Sequence, residues 1–547
     1  MRIKRLILVL LTIFAVTKVG LSLAESWGQP QIQSRLELYQ TNLLLHASQW
    51  QGKGTERTTP QQSVPELNAA VDALIGTEPF PTAQKQYQQA RQSAQTTHSN
   101  ITARLQELSS EAVASSTEAG EIQPQGNAIT ASQDNFQQQR WQQSLSQVEQ
   151  LINELDLRLG ILQAQQGETE AAIKTWSSLS DQSALEITDL RPLPASVTEE
   201  SLTQTAEVLI GLWSAPPQIL ADAEIKINDN LDSWFRYRAL SQLYQLQQRQ
   251  DQLSALQTKE LEVAQQAVWK LALIGGIPGF GGLLGVGILI FLLAQLLLQG
   301  KRSLLATNAD LTWETPWNWE IIWQVLILGF FCIGQLVLPL LFSLLGLNPI
   351  NYTVRMKAFY VLFSYLLMAG GGFLILFLSI KPFLPLPEEW FRLKLGSNWI
   401  FWGVGGYLVA LPLVIVVSLI NQQLWQGQGG SNPILPLALE GRDNVALFVF
   451  FLTACAAAPI FEEIIFRGFL LPSLTRYLPV WSSIVASSLL FAIAHLSLSE
   501  VLPLATLGIV LGVVYTRSRN LLAPMLLHSL WNSGTLLSLF ILGSGSN

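Results

Sequence analysis

Ala458-Pro459-Ile460-Phe461-Glu462-Glu463-Ile464-Ile465-Phe466-Arg467-Gly468 sets two adjacent carboxylates and a guanidinium inside an apolar run extending from about Ala446 to Leu471. A charge at the centre of a membrane helix costs roughly 2.5–3.5 kcal/mol on insertion scales, so three in one span need a reason. Glu463 and Arg467 are four apart and share a helix face, with the glutamate on the favourable N-terminal side. Glu462 is turned by about 100° from Glu463 and has no such partner on its own helix.

Around this stretch the chain divides into two halves. Of 547 residues, 49% are hydrophobic and only 13% charged, about half the charged fraction of an ordinary soluble domain. The deficit lies in residues 271–543, a series of apolar spans, while residues 25–265 are polar and rich in Gln. A net charge of −7 argues against a nucleic-acid partner. The only cysteines, Cys332 and Cys455, lie in apolar spans, so there is no disulfide framework and no CxxC metal knuckle.

In the order of the chain, residues 1–26 open with Arg2, Lys4 and Arg5 before an apolar run from Leu6 to Val16. This is the layout of a signal peptide or signal anchor. Residues 27–265 read as a helical domain. Leu145, Val148, Leu151, Ile152, Leu155 and Leu159 recur at helical spacing. Leu159-Gly160, Gly167, Ala172-Ile173 and Trp176 then resemble the tetratricopeptide repeat, with Trp234–Leu256 as a weaker copy. An irregular helical bundle is the plainer reading of the same stretch. Ser109–Asn135, full of Ser, Ala, Glu, Gln and Gly, reads as a flexible loop.

From Leu271 we expect about eight spans, near 271–298, 320–346, 357–380, 399–420, 444–471, 481–497, 500–516 and 521–542, each close to the roughly 20 residues that cross a bilayer. The glycines of the first (Gly275, Gly276, Gly279, Gly281, Gly282, Gly285 and Gly287) read as close helix packing. Lys301, Arg302, Lys381, Arg392, Lys394, Arg476, Arg517 and Arg519 fall in loops on one side if the spans alternate. By the positive-inside rule that side is cytoplasmic, which puts residues 27–265 outside the cytoplasm. Pro382–Leu395, with Trp390 and Phe391, reads as an interfacial segment. The expected organisation is therefore all-α: a signal or anchor segment (1–26), an extracytoplasmic helical domain (27–265), first spans with the interfacial segment (266–398), and a transmembrane bundle carrying the chemistry (399–547).

The polar residues of the last spans decide that chemistry. Glu462, Glu463 and Arg467 sit on the fifth span, Phe491 and His495 on the sixth, His528 and Asn532 on the eighth. His528 and Asn532 are four apart and share a face. The set suits hydrolysis: a carboxylate as general base on water, a histidine to share that water or bind a metal, an imidazole and an amide as oxyanion donors. Phe491 reads as packing against His495, and Cys455 as a small core residue.

Glu-Glu-x-x-x-Arg at 462–467, Phe-x-x-x-His at 491–495 and His-x-x-x-Asn at 528–532 resemble, in order and separation, the CAAX protease and bacteriocin-processing family of intramembrane endopeptidases. Gly508-x-x-x-Gly512-x-x-Tyr515 and Leu521-Leu522-Ala523-Pro524 fit what that family places before its last motif. The resemblance covers about residues 440–542. It implies that Glu462 activates water with His495, that His528 and Asn532 stabilise the oxyanion, and that Glu463, Arg467 and Phe491 are accessory. On cofactors two readings stand: Glu462, His495 and His528 as three ligands of a divalent metal such as zinc, or Glu462 as a base without metal. The absence of H-E-x-x-H favours the second.

The expectation is an integral, multi-pass membrane endopeptidase acting on membrane-associated or lipidated proteins, with a protein partner for the helical domain. The competing reading is a non-proteolytic scaffold or bacteriocin-immunity factor working through that domain. A proton-coupled transporter is disfavoured, because no inverted repeat is visible.

Overall fold

A computed structural model describes residues 2–27, 32–50, 76, 78–118, 127–186, 197–349, 352–425, 429–431, 435 and 443–544. The chain forms two compact units. One is Gln33–Leu273; the other joins the start of the chain, up to Ile32, with Ile274–Gly543. Among the described residues both are built from helices, with no strand.

The first unit contains α2 (Ile32–Ser48), α3 (Pro79–Glu118), α4 (Asn127–Gln165), α5 (Thr169–Glu186), α6 (Val197–Trp213), α7 (Ala223–Asn230), α8 (Ser233–Leu246) and the start of the long α9 (Gln250–Gln299). The apolar face of α4 supplies Leu155 and Leu159 to a core with Tyr87, Trp176, Leu209, Trp234 and Phe235. Gly160 lets α5 approach closely: a Cβ there would lie 2.2 Å from the Trp176 ring nitrogen, which donates to Leu157 O at 3.1 Å. The chain reverses at Gly167 with φ +84°, the left-handed region that glycine tolerates. A second hairpin joins α8 to α9 at Gln248, φ 55°. Such hairpins are common to tetratricopeptide units and irregular bundles.

The loop expected at Ser109–Asn135 is largely helical. α3 runs on to Glu118 and α4 starts at Asn127; only 119–126 fall outside the described residues. Ala, Glu and Gln are strong helix formers, so a polar, low-complexity composition did not keep the described residues of this stretch out of helix.

The second unit adds α1 (Arg2–Trp27), the rest of α9, α10 (Trp319–Leu344), α11 (Val354–Ile380), α12 (Trp399–Trp425), α13 (Asn444–Leu474), α14 (Val480–Ile493), α15 (Val501–Ser518) and α16 (Leu522–Gly543). Among the described residues, eight helices are long and apolar enough to cross a membrane, and the chain is a multi-pass integral membrane protein. The eight include α1 and leave out α14, which has 14 residues, so the span expected over 481–497 stops at Ile493. There the chain turns, with Leu496 at φ 58°, and hydroxyls fix the turn: Ser499 Oγ donates to Gly430 O at 2.6 Å and Ser497 Oγ to Gly429 O at 3.3 Å.

Two of the seven glycines near the start of the apolar half serve close packing. Gly281 and Gly285 meet Leu411 and Leu408 of α12, whereas Gly275, Gly276, Gly279, Gly282 and Gly287 have open space beside them. Gly281 and Gly285 are four apart, so a single stripe of α9 touches a neighbour. Gly508 and Gly512 seat α15 on Ser488 and Ile484 of α14 in the same way, the small-xxx-small arrangement that draws membrane helices together. α1 is tied to α10 by Trp323 Nε1 donating to Thr12 Oγ1 at 2.7 Å and by an Arg5–Glu320 pair at 3.1 Å.

Candidate active site

Helix α13 is not a regular α-helix, and its irregularity follows from proline. It widens to π-helix over Thr453–Ala457 and Ile464–Leu470. Each widening ends two residues before a proline, Pro459 and Pro472, and α10 repeats the pattern with Val325–Val337 before Pro339. A proline lacks the N–H that would close the preceding turn and clashes with the carbonyl four residues back. π-bulges of this kind recur at functional sites.

Pro459 leaves carbonyls of the preceding turn without their usual donor, and α16 supplies substitutes. Ser529 Oγ donates to Cys455 O at 2.5 Å and Asn532 Nδ2 to Ala454 O at 2.7 Å. These bonds lock α16 against α13 and bring His528 beside the glutamates.

His528 then touches both carboxylates. Its Nδ1 lies 2.8 Å from Glu463 Oε1 and its Nε2 lies 3.9 Å from Glu462 Oε2. Glu463 Oε1 also accepts from Arg467 Nη1 at 2.8 Å, and Arg467 Nη2 reaches Gly508 O at 3.2 Å. The guanidinium lies over Phe491, 4.5 Å from the ring centre. Glu463 and Arg467 have no exposed surface and His528 only 3%. A carboxylate facing a buried guanidinium accepts hydrogen bonds, so the proton of this contact is on Nδ1. Nε2 of a neutral His528 therefore presents a lone pair towards Glu462, and donates only as the imidazolium.

Glu462 differs from its neighbour as its sequence position suggested. It is half-buried, its Oε1 accepts from the Tyr365 hydroxyl of α11 at 3.0 Å, and its Oε2 is buried without a hydrogen-bond partner. The 3.9 Å between Oε2 and His528 Nε2 suits a water held by both, each about 2.8 Å away.

His495 lies on the turn just beyond α14. Its Nδ1 donates to Phe491 O at 2.9 Å, leaving Nε2 free as an acceptor. The Phe491 ring separates the two histidines, 4.9 Å from His495 and 5.7 Å from His528, edge to face with both. The short α14 ends at Ile493, two residues past Phe491, so His495 lies on the turn beyond it, beside that ring.

The donor set for a metal is incomplete. Among the described residues no three His, Cys, Asp or Glu side chains gather closely enough to hold an ion. Glu462 and His528 converge, but His495 stands across the Phe491 ring, and one oxygen of Glu462 is committed to Tyr365. A zinc site needs three or four ligands at about 2.0–2.3 Å, which this arrangement does not offer.

Reading the sequence missed three contacts: Tyr365 on Glu462, His528 on Glu463, and Ser529 on the opened turn of α13. The first two join residues from different helices and left no spacing signal. The third was accessible, because Pro459 inside an apolar run announces carbonyls needing an outside donor.

A model of the type II CAAX prenyl endopeptidase Rce1-like family matches residues 444–534. Over 137 residues the chain is 26% identical to the membrane-embedded CAAX protease MroQ of Staphylococcus aureus, a match covering 24% of this chain and 54% of that protein. It is 29% identical over 180 residues to an uncharacterized 24.3 kDa protein of Escherichia coli, covering 30% of this chain and 76% of the other. The chain thus spans about half the length of the protease it resembles. No solved structure matches. The segment that carries Glu462, His495, His528 and Asn532 is thus the part of the chain that is similar to the Rce1-like type II CAAX prenyl endopeptidases, over residues 444–534.

Proposed function

We propose that the chain is an intramembrane endopeptidase that hydrolyses a peptide bond of membrane-associated or lipidated proteins. The observation carrying this reading is the unpartnered Oε2 of Glu462, 3.9 Å from a His528 Nε2 whose ring is held by Glu463. The kinship with a membrane-embedded CAAX protease supports it.

In this reading Glu462 takes a proton from water while His495, accepting at Nε2, helps orient it. The hydroxide attacks the carbonyl carbon. The oxyanion collects hydrogen bonds from the second N–H of Asn532 and from His528, whose ring Glu463 holds in place. Collapse breaks the C–N bond, and the proton held by Glu462 passes to the leaving amine. No step is routed through a metal.

In the same reading the helical unit lies outside the cytoplasm, as the loop charges lead us to expect, and presents or selects substrates. Glu462→Gln is the decisive variant: cleavage of a membrane-anchored reporter in proteoliposomes falls by roughly 10²–10⁴-fold with expression and thermal stability retained. Undiminished cleavage refutes the reading. Loss of all phenotype on deleting residues 27–265, with none in Glu462→Gln, transfers the function to a scaffold.

A further inference from the structure

We infer that Tyr365 is a positioning residue for Glu462, supplied by a helix that precedes the family-matched segment. The inference rests on the reading of Glu462 as the base. Tyr365 lies on α11, outside residues 444–534, and its hydroxyl donates to Glu462 Oε1 at 3.0 Å. A carboxylate on a two-carbon stem can rotate about its last bond, and a donor on one oxygen stops that rotation. With Oε1 held, Oε2 is the oxygen turned towards His528 Nε2 at 3.9 Å. The two oxygens thus divide their work, one fixed by phenol and one open to water.

The phenol is itself held in place. Phe461, the residue before Glu462, meets the Tyr365 ring edge to face with centroids 6.1 Å apart, and is wedged by Phe373 at 5.3 Å and Phe330 at 6.1 Å. The wedge depends on Gly372, where a Cβ would lie 2.8 Å from the Phe461 ring. The other ionisable side chains near Glu462 are His528, Glu463 and Arg467, and those three are tied to one another. Tyr365 alone gives Glu462 a direct hydrogen bond among the described residues.

The test compares wild type with Tyr365→Phe, which keeps the ring and removes the hydroxyl, in the full chain in proteoliposomes. Loss of a hydrogen bond to a charged group predicts that kcat falls roughly 10–100-fold with KM within about twofold. In a Glu462→Asp background, whose shorter stem cannot reach the phenol, Tyr365→Phe should change the residual rate by less than about twofold. A purely structural role would lower both backgrounds alike, and that result overturns the inference. An activity-independent readout is the infrared carboxylate band of Glu462, obtained by difference against Glu462→Gln, which should shift on removing the hydroxyl. An unmoved band with unchanged kcat also overturns the inference while leaving the peptidase reading intact. A shifted band in a chain that cleaves nothing upholds the contact and defeats that reading instead.

Discussion

The buried Glu463–Arg467–His528 cluster has two separable jobs, holding the helices together and orienting His528. Glu463 Oε1 receives Arg467 and His528 at 2.8 Å each, with almost no solvent at any of the three. Glu463→Ala strands the Arg467 charge with only the Gly508 carbonyl and the Phe491 ring. Breaking a buried ion pair by removing one partner costs about 3–5 kcal/mol, whereas replacing both by apolar groups of similar size is often near neutral. The double variant Glu463→Leu/Arg467→Met should thus recover most of the lost stability, short of a residual of about 1–2 kcal/mol for the cation over Phe491. It should not recover activity, because His528 Nδ1 has lost the carboxylate that fixes its tautomer and ring plane. Removing such a partner lowers activity by on the order of 10²–10⁴-fold. The assays are thermal unfolding in micelles and cleavage of a membrane-anchored reporter, for wild type, both single variants and the double. A double variant that is stable and fully active refutes the orienting role, and one no more stable than Glu463→Ala refutes the charge argument.

Ser529→Ala should destabilise the bundle by about 1–3 kcal/mol, the cost of leaving the buried Cys455 carbonyl unsatisfied. Most of that loss should vanish in a Pro459→Ala background, where the missing N–H returns; equal losses in both backgrounds on thermal unfolding would refute the proline account. Chelation of divalent ions should leave cleavage unchanged, and a loss reversed specifically by added zinc would turn Glu462 and His528 into metal ligands. In the helical unit, burial first and Arg238 next lower the pKa of His46 from 6.5 to about 4, and its Nε2 lies 3.0 Å from Ser233 Oγ. Between these values the unfolded chain binds the extra proton. Stability is therefore full above pH ~6.5 and falls as pH drops towards 4, by about 3 kcal/mol. Hydrogen exchange of α8 amides, corrected for intrinsic rates, should show this slope in wild type and lose it in His46→Gln.

Hydropathy alone fixed most of the membrane half, because burying a helical backbone in lipid demands long uninterrupted apolar runs. The spacing of Glu462, Glu463, Arg467, His495, His528 and Asn532 led to the expectation of one polar cluster in the last spans, since charges at that depth need partners; the observed contacts join Glu462, Glu463, Arg467 and His528. Local sequence could not say how those residues pair. It gave Glu463 to Arg467, and the fold adds His528 to the same oxygen. It left Glu462 alone, and the fold brings Tyr365 from α11, 97 residues earlier. It ran α14 to residue 497, and tertiary packing stops it at Ile493 so that His495 lies on a turn. The reason is one of range. Hydropathy and i, i+4 spacing report on one helix at a time, whereas the free oxygen of Glu462, the held ring of His528 and the opened turn at Pro459 exist only where three or four helices meet.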